Sequence, residues 1–293
     1  MNTTSIRSLL AKTLPYWVRS KVPLKVSQHL YFNGVFIARL YGKKLVKLLH
    51  DGHQIENEIY WRGFEGCHEK KSMQIFASLV EKLNPKIVWD IGANSGTYGI
   101  LAKALEPQCE VIFFEPIPKA ADLIRMNLKL NNFEGKIFEV ALGDFDGEGE
   151  IFFEEGQDFA TSVTVNKNTL PDGIKSDPMK IQVRRLDSLI LEEGLKAPNL
   201  VKLDVETYEY EVLTGLGSHF PSNAIFLIEI LREDLALKLV KFFSESEYEY
   251  WNIDDGKGSI RKVPKLGKSD FYNFLVVPKS LNNPIHNYLV SAQ

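Results

Sequence analysis

The stretch at residues 90–96 reads Asp90-Ile91-Gly92-Ala93-Asn94-Ser95-Gly96, an acidic residue followed by two glycines four positions apart. A short β-branched run precedes it at residues 86–91, and apolar residues at helical spacing follow it at residues 97–105. This order predicts a strand, a tight turn and a helix. Gly92 lets the chain turn sharply, and Gly96 lets the helix begin close to a ligand that contacts free backbone N–H groups. We therefore expect a ligand-binding turn here.

Strands and helices alternate along most of the remaining chain. The sequence predicts further strands at residues 111–114, 137–141, 200–205, 224–230, 247–253 and 271–277, and further helices at residues 69–83, 116–130, 208–216 and 233–243. Such alternation is typical of an α/β fold, a parallel sheet with helices on both faces. Two final strands without an intervening helix predict that the last strand is antiparallel. Between residues 143 and 187, glycines separate short pieces, which predicts an antiparallel insertion or flap.

The first 50 residues are strongly basic. They contain nine Lys and Arg residues and no Asp or Glu, whereas residues 51–293 contain twelve more acidic than basic side chains. Apolar residues at helical spacing between residues 36 and 49, with basic residues on another face, predict an amphipathic helix. We divide the chain into a basic, mainly helical extension at residues 1–65 and a main domain at residues 66–293. Two roles stay open for residues 1–50: contact with an anionic membrane surface, or packing on the acidic domain as a cap.

Composition excludes several classes of protein. Of the 293 residues, 44% are hydrophobic and 25% charged, so the chain can bury a sizeable core and is neither fibrous nor disordered. Its two cysteines, Cys67 and Cys109, cannot build a disulfide framework, and their spacing is not that of a zinc site. The N-terminal region has no stretch that is apolar enough for a membrane span or a signal peptide. We expect a cytoplasmic protein, with peripheral attachment to the inner face of the membrane as an open alternative.

The predicted turn favours a cationic ligand over a dinucleotide. It lacks the G-x-G-x-x-G order, and the carboxylate of Asp90 would repel a pyrophosphate. S-adenosylmethionine carries a sulfonium and an ammonium group and no phosphate, and Glu115 at the next strand end can accept hydrogen bonds from a ribose. Small apolar residues at the third strand end suit an adenine edge. The predicted cofactor site consists of Asp90, Gly92, Ala93, Asn94, Gly96, Glu115, Ala141 and Leu142.

Three acidic residues stand in or after the later strands. Alternation along the extended chain puts Asp204 and Glu206 on one side with Lys202, a costly placement for charges unless they serve a site or pair with one another. Glu229 stands in an otherwise apolar strand, where it is either a buried base with a raised pKa or a partner of Lys202. We predict Asp204, Glu206 and Glu229 as candidate catalytic residues, and we assign no metal ion to them.

Taken together, the motifs resemble those of the FkbM family of S-adenosylmethionine-dependent methyltransferases. The matching segments are residues 88–98, 114–116, 141–144, 185–189, 202–206 and 227–230. The resemblance implies a Rossmann-like class I methyltransferase fold of seven strands, the last antiparallel, and methyl transfer to a hydroxyl of a sugar, a polysaccharide or a secondary metabolite. It implies that the turn and Glu115 hold the cofactor and that the three acidic residues line the acceptor side. The family commonly has glycine where this chain has Thr207, whose Cβ would narrow the acceptor pocket or shift Glu206.

Two other functions stay open. A nucleic-acid methyltransferase would agree with the basic extension, but the Asp-Pro-Pro-aromatic motif for exocyclic amines is missing at the fourth strand, and the extension matches no recognised nucleic-acid-binding fold. The other alternative is a non-catalytic scaffold that keeps the S-adenosylmethionine pocket. We expect His53 and His68 at solvent-facing helical positions rather than in the site. The expected partner is a hydroxylated small molecule or glycan.

Overall fold

The computed structural model of the chain describes residues 14–27, 30, 33–41, 44–51, 54–152, 178–281 and 284–292. Its strands are β1 (Asn33–Arg39), β2 (Leu45–Asp51), β3 (Ile87–Ile91), β4 (Glu110–Phe114), β5 (Lys136–Phe138), β6 (Ala141–Gly143), β7 (Gly147–Ile151), β8 (Met179–Arg185), β9 (Leu200–Leu203), β10 (Ile225–Glu229), β11 (Tyr248–Asp254), β12 (Ser259–Val263) and β13 (Asn273–Pro278). Its α-helices are α1 (Tyr16–Arg19), α2 (Leu24–Ser27), α3 (Gln54–Arg62), α4 (Lys70–Leu83), α5 (Thr97–Leu105), α6 (Pro118–Asn131), α7 (Leu186–Glu193), α8 (Glu209–Thr214), α9 (Glu233–Leu239) and α10 (Pro284–Ser291).

A large mixed sheet lies at the centre of the fold. In the described part of the chain it has eight strands, in the order β12-β11-β13-β10-β9-β3-β4-β5. Strands β5, β4, β3, β9 and β10 run parallel, and β13 runs antiparallel to β10, as predicted. The resemblance implied seven strands. The additional strand is β12, which forms a hairpin with β11 at the edge of the sheet.

The order of strands reverses at β3. From β3 the chain continues to β4 and β5 on one side, and it later returns to β9 and β10 on the other side. Ligands of open α/β sheets bind beyond the carboxyl ends of the strands at such a switch point. Because β3 and β9 are buried along their whole length, only their ends are available to a ligand.

Helix α4 has the amphipathic pattern that the sequence predicts. Ile75, Phe76 and Leu79 are buried in the hydrophobic core on one face of the sheet. Asn84 adopts a left-handed conformation with φ of 44° and ends the helix. At the other end, two backbone N–H groups of the first turn donate to the carboxylate of Asp255, at 2.7 and 2.8 Å. This remote cap ties the helix to the loop that follows β11.

The predicted amphipathic helix at residues 36–49 is wrong, because this segment contains the strands of a β-hairpin. β1 and β2 pair antiparallel, with Phe36 opposite Leu48. Buried residues alternate with exposed ones: Phe36, Ala38, Val46 and Leu48 are buried, whereas Val35, Ile37 and Leu45 are exposed. Because both faces of the hairpin carry apolar side chains, the sequence shows no clear alternation, and its apolar positions also match a helical spacing. The β-branched residues of the segment favour a strand.

The inner face of the hairpin packs on the main domain. Phe36, Val46 and Leu48 belong to the same hydrophobic core as α4 and α5. The outer edge of β2 is capped by α6, whose Asn131 and Asn127 accept hydrogen bonds from the backbone N–H groups of Lys47 and Leu49, both at 2.8 Å. The described part of the extension therefore shares the core of the main domain.

The segment after β5 forms a second, small sheet. Its order is β6-β8-β7, with β7 antiparallel to β8 and β6 parallel to β8. The predicted antiparallel insertion is confirmed for β7 and β8, whereas residues 153–177 of this segment lie outside the described residues. The predicted strand at residues 137–141 divides into β5 and β6, which belong to different sheets. Among the described residues, no helix combines the length and apolar character needed to cross a membrane.

Candidate active site

The glycine turn after β3 brings the ends of β3 and β9 together. Gly92 and Gly96 have φ of 73° and 76°, a region that favours glycine. A Cβ on Gly92 would lie 1.7 Å from the backbone oxygen of Asp204, so the close approach of β9 also requires glycine there. Asp90 is buried, and its Oδ2 accepts a hydrogen bond from the N–H of Gly99 at 2.8 Å, which caps α5. Burial raises the pKa of Asp90 to about 7.

Glu115 connects the end of β4 to this turn. Its Oε2 accepts a hydrogen bond from the N–H of Asn94 at 2.7 Å, and its Oε1 accepts one from the N–H of Ile117 at 2.9 Å. Burial raises the pKa of Glu115 to about 7, although these two hydrogen bonds act against that shift. Each carboxylate oxygen can accept a second hydrogen bond. Glu115 thus shapes the turn and can still bind a ribose.

A cavity of about 670 Å³ follows the carboxyl ends of the strands. Its lining includes seven of the predicted cofactor residues: Asp90, Gly92, Ala93, Asn94, Glu115, Ala141 and Leu142. The eighth, Gly96, is not in the lining, and a Cβ there would lie 3.0 Å from the side chain of Ile124. The left-handed conformation of Gly96 and its packing require glycine, and its role in cofactor binding stays a prediction.

Asp204, Glu206 and Glu229 line this cavity close to one another. Each places one carboxylate oxygen within 4.8 Å of the other two. Burial, together with the charge of Asp204, raises the pKa of Glu206 to about 8 and that of Glu229 to about 11. The structure thus brings together three residues that span 25 positions of the sequence, from Asp204 to Glu229.

Lys202 is the buried cation of this cluster. Its Nζ donates a hydrogen bond to Oδ2 of Asp204 at 2.8 Å and lies 3.9 Å from Oε1 of Glu69. Burial lowers the pKa of Lys202, but the nearby carboxylates outweigh burial and hold it above the ordinary value, so the ammonium is charged. Lys202 pairs with Asp204, whereas Oε2 of Glu229 is buried without a hydrogen-bond partner among the described residues. An ion pair and an acid-lined cavity therefore coexist here.

The backbone conformation at Thr207 explains why the family commonly has glycine at this position. Glu206 and Thr207 have φ of 53° and 78°, an uncommon conformation for non-glycine residues and a strained one for a β-branched residue. The buried Glu209 stabilises this turn, because its Oε1 accepts hydrogen bonds from the N–H groups of Val205 and Thr207 at 3.1 and 3.3 Å. Despite Thr207, the side chain of Glu206 lines the cavity with the other two acids.

Sequence reasoning missed the residues that reach the cavity from distant segments. In the N-terminal part of the described chain these are Gln54 and Ile55 of α3, Glu69 in the loop before α4, and Met73 of α4. From the C-terminal strands and loops they include Asp255, Asp270, Tyr272 and Asn273. None belongs to a local motif. Tyr272 and Asn273 lie within the strand predicted at residues 271–277, but the pairing of Asn273 with Glu229 follows only from the structure.

His68 is exposed, as predicted, but it lies in a turn and not on a helix. It lies between α3 and α4, lines the cavity, and its Nδ1 is 3.0 Å from Oε2 of Glu58. Burial lowers the pKa of His68, but the hydrogen bond and charge of Glu58, with further nearby carboxylates, raise it overall. His68 is therefore a further candidate base. His53 lies outside the described residues.

The charges of the cavity suit a cationic ligand. Among the described residues that line it, Lys202 is the one lysine or arginine, and it is already paired with Asp204. A pyrophosphate would therefore meet carboxylates without an available cation. A sulfonium or ammonium group meets opposite charges instead, so the residues present fit S-adenosylmethionine.

Comparisons with known proteins agree with this chemistry. The family model described as Methyltransferase FkbM domain matches residues 90–250. The 2-O-methyltransferase NoeI of Sinorhizobium fredii is 32% identical over 148 residues, which is 47% of this chain and 60% of that protein. The hexuronic acid methyltransferase AglP of Haloferax volcanii is 28% identical, over 52% of this chain and 59% of that protein. The 31-O-demethyl-FK506 methyltransferase FkbM of Streptomyces tacrolimicus is 27% identical, over 44% and 59%.

The matched part of the chain thus spans about three fifths of the length of these curated relatives. Among solved structures, a tRNA (uracil-54, C5)-methyltransferase of Pyrococcus abyssi with S-adenosyl-L-homocysteine is similar with a TM-score of 0.42. It is 14% identical, and the match covers 85% of this chain and 45% of that one.

Proposed function

The chain belongs to the FkbM methyltransferase family, and on this premise we propose that it transfers the methyl group of S-adenosylmethionine to a hydroxyl of a sugar, a polysaccharide or a secondary metabolite. One observation carries the proposal. A single cavity connects the glycine turn and Glu115 with the acids Asp204, Glu206 and Glu229. Relatives named as a 2-O-methyltransferase and a hexuronic acid methyltransferase support a hydroxylated acceptor of sugar type.

The residues of the glycine turn and of the neighbouring strand ends would hold the cofactor. Glu115 would accept hydrogen bonds from the ribose, and Ala141 and Leu142 would contact the adenine. Bound here, S-adenosylmethionine supplies an electrophilic methyl group. The carboxylates of Asp204, Glu206 and Glu229 would complement the positive charge of the bound sulfonium.

The acceptor oxygen must lie opposite the sulfonium for an in-line displacement, and holding it there supplies much of the acceleration. The sulfur–carbon bond breaks while the oxygen–carbon bond forms, and the hydroxyl proton passes to a base. Asp204, Glu206 and Glu229 are the candidate bases, with His68 as a further one. The products are the methyl ether and S-adenosylhomocysteine.

Two measurements on the full-length protein test the proposal. Calorimetry is expected to show binding of S-adenosylmethionine and S-adenosylhomocysteine but not of NAD. Tritiated S-adenosylmethionine is expected to label hydroxylated acceptors from a panel of methyl glycosides, oligosaccharides and hydroxylated macrolides. Cofactor binding without any labelling would support the scaffold alternative, and an absence of cofactor binding would contradict both.

For the basic extension we propose contact with an anionic membrane through the outer face of the β1–β2 hairpin. Val35, Ile37 and Leu45 are 51%, 58% and 60% exposed on this face. Arg39 and Lys47 are exposed on the same face. Apolar side chains surrounded by basic ones are typical of peripheral attachment to anionic lipid.

Deletion of residues 1–50 would also remove part of the core, so point variants give the better test. Full-length protein is expected to sediment with phosphatidylserine vesicles at low salt, and an Ile37→Ser, Leu45→Ser double variant is expected to stay in the supernatant. Leu191→Ser is the control, because Leu191 is 74% exposed on α7 in the main domain. Equal sedimentation of all three proteins, or of none, would argue against this contact.

A further inference from the structure

We use the term acceptor end for the part of the cavity that Asp204, Glu206 and Glu229 line. It holds more carboxylates than Lys202 can neutralise. Asp204, Glu206 and Glu229 converge within 4.8 Å, and Glu69 lies 3.9 Å from Lys202 beside them. Lys202 donates its hydrogen bond to Oδ2 of Asp204, which leaves that residue a second carboxylate oxygen. Like charges at these separations repel strongly in a partly buried site. The cluster is therefore short of positive charge.

Asn273 provides an independent observation at the same place. It is 6% exposed and lies directly opposite Glu229 in the β10–β13 pair, so the two side chains share a face of the sheet. Its Nδ2 donates to Oε1 of Glu69 at 2.9 Å and to Oδ2 of Asp255 at 3.4 Å, which determines the orientation of the amide. Its Oδ1 is buried without a hydrogen-bond partner among the described residues, although the side chain lines the cavity.

Two of the unsatisfied atoms at this place are oxygens of the kind that hard cations bind. They are Oδ1 of Asn273 and Oε2 of Glu229, both buried and without a partner in the described part of the chain. Buried polar atoms normally have partners, and oxygen atoms of this kind are satisfied by a hydrogen-bond donor or by a cation. Carboxylate and amide oxygens are the preferred ligands of Mg²⁺, Mn²⁺ and Ca²⁺.

We propose that Asp204, Glu206, Glu229 and Asn273 bind a divalent cation such as Mg²⁺ or Mn²⁺. The spacing of the carboxylates is suitable. Oxygen ligands lie about 2.1 Å from Mg²⁺ and about 2.4 Å from Ca²⁺, so two ligands on opposite sides of one ion are about 4 to 5 Å apart. The three carboxylate oxygens lie within 4.8 Å of one another, which one ion can bridge.

Such a cation would also act on the acceptor, a consequence that rests on the proposed methyl transfer. It lies at the acceptor end of the cavity, where it can coordinate the acceptor hydroxyl and stabilise its deprotonated form. The acceptor class would then be narrower. A hydroxyl with a neighbouring hydroxyl or carbonyl oxygen could chelate the ion, as the vicinal oxygens of sugars do.

Electron paramagnetic resonance with Mn²⁺ on the full-length protein tests the site. One bound Mn²⁺ per chain is expected, with displacement by Mg²⁺. Glu229→Gln and Asp204→Asn are expected to weaken Mn²⁺ binding about tenfold or more, and Asn273→Ala by a smaller factor. Glu193→Gln is the matched control, because this acid lies on the surface in a pair with Lys136 and is expected to leave Mn²⁺ binding unchanged.

Calorimetry with S-adenosylhomocysteine on the same samples shows whether each variant still has its cofactor site, and Glu229→Gln serves if Asp204→Asn fails to fold. No bound Mn²⁺ at millimolar metal, or binding that these variants leave unchanged, would overturn the cation site. Methyl transfer that continues in EDTA, without any Mn²⁺ binding, would contradict the cation site and leave the proposed function standing. Bound Mn²⁺ without cofactor binding would support the cation site and contradict the proposed function.

Discussion

Glu115 holds the glycine turn, and we propose that it also binds the ribose of the cofactor. The sequence places a carboxylate at a strand end, where it suits a ribose. The structure adds two backbone hydrogen bonds, from Asn94 and Ile117, that hold the turn beside it. A carboxylate that shapes its own binding site is sensitive to truncation, because its loss changes both the contact and the turn.

We expect Glu115→Ala to bind S-adenosylhomocysteine at least several-fold more weakly than the wild type, measured by calorimetry. Hydrogen bonds to a charged group are worth roughly 1.5 to 3 kcal/mol, and the released turn adds to this loss. Asp122→Ala serves as the control, since Asp122 is exposed on α6. Unchanged affinity in Glu115→Ala would remove Glu115 from the cofactor site.

Variants of Glu229 and Asp204 differ in how much they disturb the surrounding structure. Glu229→Gln keeps the shape of a side chain with an unpartnered Oε2, and it leaves Lys202 paired with Asp204. Asp204→Asn removes the charge that faces a buried ammonium, so it destabilises the fold as well. Glu229 is therefore the better position for kinetics.

We expect Glu229→Gln to lower turnover on a hydroxylated acceptor by roughly 10²-fold or more, the usual scale for the loss of a general base. Asp204→Asn and Glu206→Gln are to be measured beside it, with S-adenosylhomocysteine affinity as the check on folding. If all three variants kept wild-type turnover, these three carboxylates would be excluded as the base and His68 would become the next candidate.

At the scale of elements, one side chain links the N-terminal hairpin to the glycine turn. Asn127 of α6 is fully buried, and its Oδ1 accepts a hydrogen bond from the N–H of Leu49 in β2. Its Nδ2 donates to the backbone oxygen of Ser95 in the turn, at 3.2 Å. Asn131, one helical turn later, bonds the backbone of Lys47 but does not bond the glycine turn. Variants of Asn127 and Asn131 therefore test the contact with the glycine turn separately from the contact with the hairpin.

Asn127→Ala is expected to weaken S-adenosylhomocysteine binding several-fold, because Ser95 loses the donor that holds the turn. Asn131→Ala is expected to increase amide exchange in the hairpin while leaving affinity unchanged. Calorimetry and hydrogen exchange on the two variants measure this. Equal affinities in both would mean that the hairpin and the turn are independent.

At the scale of the whole molecule, several buried carboxyl groups link stability to pH. Burial raises the pKa of Glu56, Asp90 and Glu115 to about 7 each. Glu56 belongs to the extension, and its interaction with the Ser95 side chain acts against the shift. A carboxyl whose pKa is raised by folding stabilises the folded state fully below its unfolded pKa. That contribution is lost as the pH rises through the folded value.

We therefore expect the free energy of unfolding to fall between about pH 4.5 and pH 7, by up to about 3 kcal/mol for a fully buried carboxyl. Glu56→Gln is expected to reduce this fall and to unfold at a higher urea concentration than the wild type at pH 8. The exposed Glu193→Gln provides the control. The same pH dependence in wild type and Glu56→Gln would show that Glu56 does not contribute.

The sequence by itself determined the α/β sheet, its antiparallel last strand, the glycine turn and the acids at the strand ends. These follow from local information: hydrophobic periodicity shows which segments are strands, and the carboxyl ends of parallel strands meet at one edge. It did not determine residues 36–49, because a hairpin with apolar side chains on both faces carries the same composition as an amphipathic helix. Only burial against α4 and α5 distinguishes the two.

Only the tertiary structure decided which side chains complete the cavity. His68, Glu69, Asp255 and Asn273 come from segments up to 205 positions apart, and no local pattern connects them. It also decided that Lys202 pairs with Asp204 and that Oδ1 of Asn273 has no partner in the described chain. The physical reason is the same in each case. Partners of buried polar groups are chosen by three-dimensional proximity, and sequence order does not encode that proximity.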